Sequence, residues 1–135
     1  MQIIVSQEQG KAPVTVLKLA GQLDGQTYES LIAQAQELYK GGTKNILLDM
    51  EELTYISSAG LVSLHTIALL LRGETPPDPE QGWSAFKSMD KPRDGGSKNI
   101  KLLNPRPEIV SVLDMVGFSA FFEIFTDKQK ALESF

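Results

Sequence analysis

The chain has 135 residues, of which 41 % are apolar and 22 % charged, with a net charge of −4 and no cysteine. That size and mixture suit one soluble globular domain with one core, and the missing cysteines exclude disulfides, thiolate metal sites and cysteine nucleophiles. Acids and bases are interspersed without a basic face, which argues against nucleic acid as a partner, and no apolar run reaches the length of a membrane span.

The amino-terminal stretch MQIIVSQEQGK lacks the basic start and apolar block of a signal peptide, so the expected location is the cytoplasm. Residues 3–8 form a first expected strand, 9–13 are turn material, and 14–21 alternate apolar and polar as a second strand, giving a hairpin. The period then changes. Leu31, Ala35 and Leu38 share a helical face, Asp24 or Thr27 is placed to cap the start, and Gly41-Gly42 ends the helix. Residues 44–50 are a continuous apolar run, the pattern of a central parallel strand buried on both faces. Residues 51–56 link it to a helix that ends at Gly73, with Leu61, Leu64, Ala68 and Leu71 as its main stripe.

Composition shifts over residues 74–98, which hold four of the seven prolines and few aliphatics. The expectation is an inserted loop within a single 1–135 domain, pinned by Trp83 and Phe86 far from the preceding helix start, with at most one helical turn near 84–89. Regular structure resumes with a strand over 99–104, a helix entered at Pro105 and Pro107 and running through Ile109, Val112, Leu113 and Val116, a strand over 121–126 and a short terminal helix capped by Asp127 or Thr126. The predicted order β-β-α-β-α-β-α-β-α is an α/β fold: a mixed sheet that begins with a hairpin and continues with strands alternating with helices.

The stretch TYISSAGLVSL, residues 54–64, sets two serines side by side at the joint between strand and helix. A helix begins with N–H groups that lack intrahelical partners, and a serine hydroxyl satisfies one of them, so one of Ser57 and Ser58 reads as an N-cap. The same end tolerates a phosphate, which meets free N–H donors and the positive end of the helix dipole. Gly60 costs roughly 1 kcal/mol against alanine in a first turn; either another backbone approaches there or the helix packs tightly on the sheet. His65 is the sole histidine, so a transition-metal site and a hydrolase triad both lack support. Asp49, Glu51 and Glu52 form an acidic patch, most simply a solvated face. Val62 and Leu69 point to a flank of their helix, either open for docking or covered by the helix over 109–116.

Three stretches, LAGQLDGQTYESL, NILLDMEELTYISSAGLVSL and LLNPRPEIVSVLDMVGFSAFFEIFTD, resemble the STAS domain family, and within it the stand-alone bacterial anti-sigma factor antagonists. The resemblance spans nearly the whole chain apart from residues 74–98. It implies a partner-switching regulator of transcription with no catalysis and no cofactor of its own. In such proteins the acceptor serine follows an aspartate; aligned on Gly60-Leu61, Ser57 takes the aspartate position and Ser58 the acceptor position, with Ser57 as the alternative acceptor. The implied partners are an anti-sigma factor serine kinase, to which ATP and magnesium belong, and a phosphatase. The implied partner-binding residues are Asp24, Ser57, Ser58, Gly60, Leu61 and Val62. Two other classes are compatible with the residues: a STAS structural or scaffold subunit of a signalling or lipid-transport complex, and a small-ligand or nucleotide-binding module using the space between Asp24 and the serine loop.

Overall fold

A computed structural model describes residues 1–73 and 97–135 of the chain. Its elements are β1 (Gln2–Gln9), β2 (Pro13–Leu23), α1 (Tyr28–Lys40), β3 (Ile46–Ile56), α2 (Ser58–Leu71), β4 (Ser97–Leu103), α3 (Pro107–Met115), α4 (Phe118–Phe121), β5 (Phe122–Phe125) and α5 (Lys128–Glu133). The five strands form one sheet in the order β1-β2-β3-β4-β5. β1 pairs antiparallel with β2, and the β2–β3, β3–β4 and β4–β5 pairs are parallel. The mixed α/β sheet with a hairpin start is therefore present.

Strand side chains alternate between faces, and the two faces are filled unequally. Leu17, Leu19, Leu48, Met50, Ile100 and Leu102 join side chains of the first four helices in the main core. Val14, Val16, Leu47 and Leu103 point the other way and meet Ala131 and Leu132 of α5. Each fully buried leucine contributes about 1.5–3 kcal/mol of transfer free energy, so the larger cluster holds most of the apolar stabilisation. α2 is buried continuously from Gly60 to Ala68, which explains why its apolar residues surround the axis. The helix that packs beside it is α1.

Three boundaries differ from expectation. β2 runs two residues past Gly21, and β3 continues through the presumed link to Ile56. Both extensions exist because they pair: Ala20 with Glu52, Gly21 with Leu53, Gln22 with Tyr55 and Leu23 with Ile56. Two register shifts absorb the extra residues of β3, and Leu53 and Ile56 drop into the core. The expected helix through Phe118 breaks at Gly117, whose φ of +82° lies in the left-handed region that glycine adopts without strain; a separate single turn, α4, follows. The expected loop 74–98, with Trp83 and Phe86, lies outside the described residues as far as residue 96, and residues 97 and 98 belong to β4.

Candidate functional site

The carboxyl ends of β2 and β3 lie side by side, and each feeds a helix. The Ser57 N–H donates to the Leu23 carbonyl at 2.9 Å. The strand pairing thus runs to the last residue, and Asp24, next after Leu23, is brought beside the serine loop. In parallel sheets such strand ends are where helix starts and loops gather into binding surfaces.

Ser57 is the N-cap of α2. Its backbone is extended, and its Oγ accepts from the Gly60 N–H at 3.3 Å. Ser58 is the first helical residue and is exposed, whereas Ser57 is half-buried. The two serines therefore divide the possibilities the sequence left open: Ser57 closes the helix, and the Ser58 hydroxyl stands at the surface. The first turn holds no acidic residue of its own to offset the positive end of the dipole.

Gly60 is buried, and the cause is packing. A methyl group at this position would lie 2.6 Å from the Leu23 carbonyl oxygen and 2.7 Å from Ile56 Cγ1. Only glycine lets the helix start sit this close to the ends of β2 and β3. Leu61 and Val62 are 3 % and 6 % exposed. Together with Gly60 they lie beneath Ser58, and of the two alternatives for Val62, open or covered, the structure has it covered. Leu69 is half-buried.

Asp24 organises the neighbouring helix start. Its Oδ1 accepts from the Gln26 N–H at 2.9 Å, and its carbonyl accepts from the Tyr28 N–H at 2.9 Å. Thr27 holds the N-cap position of α1 without a side-chain cap bond; its hydroxyl instead donates to the Gln22 carbonyl and accepts from the Asp24 N–H, both at 2.9 Å. Asp24 is thus the head of a turn, its carboxylate half-exposed beside the serine end. The acidic residues upstream are tied locally. Asp49 Oδ1 accepts from the Glu51 N–H, the Glu51 carbonyl accepts from Arg106 Nε, and Glu52 sits 3.7 Å from Lys18 across an exposed gap, a pair of little energetic weight.

Two further residues shape the site from inside the quoted motifs. Leu23 supplies both the carbonyl that holds Ser57 and the surface that excludes a side chain at position 60. Tyr55 is 50 % exposed two residues before the cap; an aromatic in a strand usually signals core, and nothing local marks it as an outlier. His65 is buried, with its ring edge-on to Phe121 at 6.4 Å. Among the described residues no cluster of three His, Asp or Glu side chains is placed to hold a metal ion, and no helix is long and apolar enough to cross a membrane.

The geometry has counterparts. The fold is similar to a Thermotoga maritima protein described as an anti-sigma factor antagonist (TM-score 0.69, 15 % identity, 96 % of this chain and 92 % of that one). It is also similar to an anti-sigma factor antagonist from Mycobacterium paratuberculosis (0.64, 14 %, 97 % and 92 %). A third likeness is to the Bacillus cell fate determinant SpoIIAA in its phosphorylated form (0.51, 19 %, 96 % and 97 %). At these identities the likeness is one of fold. A comparison with curated proteins finds no match. The family model described as Mlab, STAS domain, matches residues 6–76, more than half of the chain. The chain belongs to the STAS domain family.

Proposed function

We propose that the protein is a phosphorylation-controlled anti-sigma factor antagonist, a regulator without catalysis of its own that works in the bacterial cytoplasm. Unphosphorylated, it binds a kinase-type anti-sigma factor through the Asp24 turn and the Ser57-Ser58 helix start, and a sigma factor is released. Gly60, Leu61 and Val62 contribute by fixing that helix start. The kinase transfers the γ-phosphoryl of ATP, with its magnesium, to the Ser58 hydroxyl. The added charge of about −2 at neutral pH must then be desolvated by a surface that fitted a neutral serine, and the complex dissociates. A phosphatase restores the hydroxyl.

The observation that carries this reading is the exposed Ser58 hydroxyl at the first position of α2, with Ser57 already engaged as the cap. A phosphate there faces helix N–H groups and needs no unfolding. The phosphorylated form known for SpoIIAA, which shares this fold, supports the same reading. The test is incubation with the kinase that co-purifies from the native cell, with ATP, followed by mass mapping. One phosphate on Ser58 is expected, Ser58→Ala is expected to bind that kinase and stay bound, and Ser58→Asp to bind it at least about tenfold more weakly, a loss of about 1.4 kcal/mol. Mapping to Ser57 moves the acceptor by one residue; a bound kinase that leaves both serines unmodified overturns the switch.

A second reading is favoured by one observation, that the matching family model is described as Mlab, STAS domain. In it the chain is a STAS structural subunit of a signalling or lipid-transport complex, the same helix start is a docking surface, and Ser58 is never modified. Co-purification of a non-kinase complex whose binding survives Ser58→Asp decides for it.

A further inference from the structure

We infer that the two bulges of the β2–β3 ladder set the serine end level with the Asp24 turn, and that Asp49, Thr54 and Arg106 are positioning residues that pin those bulges. That role rests on the function proposed above, in which the Ser58 hydroxyl is the group being placed. Nine residues of β2, from Thr15 to Leu23, run beside eleven of β3, from Ile46 to Ile56. Met50 and Glu51 stand opposite Leu19 alone, and Thr54 is the extra residue between the Gly21–Leu53 and Gln22–Tyr55 pairs. In a ladder without these insertions Leu23 would face Thr54, and the serines would stand two residues farther on, roughly 6–7 Å at the rise of a strand. The Ser57 N–H would then miss the Leu23 carbonyl, which it meets at 2.9 Å. Alternation from Ile46, Leu48 and Met50 would also turn Leu53 away from the core. The first bulge turns Leu53 inward, the second returns Ile56 to the same face, and both are buried.

Side chains hold each bulge. A bulged residue loses its place in the ladder, and its backbone groups need other partners. At the first bulge the Glu51 N–H donates to Asp49 Oδ1 at 3.1 Å, and the Glu51 carbonyl accepts from Arg106 Nε at 2.9 Å. At the second the Thr54 hydroxyl donates to the Gly21 carbonyl at 3.0 Å. Gly21 itself has a φ of +107°, which glycine adopts without strain. Polar side chains from β3 and from the start of α3 thus converge on the stretch where β3 gains its extra residues. Bulges commonly re-aim the side chains next to them. Here the residues that follow the second bulge are Ile56, the cap Ser57 and the exposed Ser58. Asp49 is in this role a partner for backbone, not a docking charge.

The experiment pairs each pin with a conservative substitution. Asp49→Asn keeps an oxygen acceptor and drops the charge, and Thr54→Ser keeps the hydroxyl, whereas Asp49→Ala and Thr54→Val lose the bonds. In the double variant Asp49→Ala, Thr54→Val, hydrogen exchange at the Ser57 amide is expected to rise about tenfold. With the kinase that co-purifies from the native cell, kcat for Ser58 phosphorylation is expected to fall at least about tenfold while KM stays within about threefold, because a misplaced hydroxyl is bound but not aligned. A chain that is merely less stable would lower the folded fraction and raise KM with kcat intact. Asp49→Asn and Thr54→Ser should stay within about twofold of the unaltered chain in both readings. Unchanged exchange at Ser57, a loss confined to KM, or Asp49→Asn as impaired as Asp49→Ala overturns the inference. If a bound kinase leaves Ser58 of the unaltered chain unmodified, the proposed function falls, and the exchange reading, which uses no kinase, still decides whether the bulges place the serine end.

Discussion

The starts of α1 and α2 lie side by side at the ends of adjacent parallel strands, yet they are built differently. The α2 start is welded to the sheet: Ser57 is bonded to Leu23, and Gly60 rests on the Leu23 carbonyl and Ile56. The α1 start is a polar turn held by Asp24 and Thr27, and Gly25 has no atom within 4 Å of where a Cβ would be. Close packing holds the first start, and the hydrogen bonds of an exposed turn hold the second.

Substituting the two glycines tests that contrast most strongly. Gly60→Ala drives a methyl into backbone that cannot yield, and a loss of about 1–3 kcal/mol is expected, read as a fall in the urea midpoint. Gly25→Ala should change stability by less than about 0.5 kcal/mol. Equal effects at the two positions would erase the distinction.

Ser57→Ala removes the cap of α2 and should cost about 1 kcal/mol in the same titration. It leaves the Ser58 hydroxyl in place, so phosphorylation by the kinase is expected to persist. Loss of phosphate incorporation in folded Ser57→Ala would transfer the acceptor role to Ser57.

Asp24→Ala removes the carboxylate that accepts from the Gln26 N–H and the Thr27 hydroxyl in an exposed turn and should cost about 0.5–1 kcal/mol. Hydrogen exchange is expected to rise at the Gln26 amide and to stay unchanged at the amides that follow Ser57. Faster exchange along the α2 start would show that the two helix starts are one cooperative unit.

Ser58→Asp should raise stability by roughly 0.3–1 kcal/mol, because a carboxylate faces the positive end of the helix dipole in a turn without acidic residues. The gain should shrink with added salt. A large destabilisation would mean that Ser58 is held more tightly than its exposure indicates.

Much of this was legible beforehand. The period change near residue 27, the apolar run at 44–50 and the caps around α2 marked the element order, because helix and strand periodicities are local properties of the chain. The serine joint was visible as residue type. What Ser57 and Ser58 each do was not, since both suit a cap and only the backbone conformation separates the extended Ser57 from the helical Ser58. The space beneath Gly60 was likewise hidden, being set by Leu23, thirty-seven positions away in sequence.

The sequence by itself determined the alternation of strands and helices, the start of α2 at the serines and the polar character of the Asp24 turn, through patterning and capping chemistry that act within a few residues. Tertiary structure alone decided that β3 runs on to Ile56, that Val62 is enclosed and that the helix after Pro107 stops at Met115. The reason is physical. Residues 51–56 have weak strand character on their own and become strand because β2 offers hydrogen-bond partners and a core for Leu53 and Ile56. A short polar segment takes its conformation from such neighbours, and neighbours distant in sequence exist only once the chain has folded.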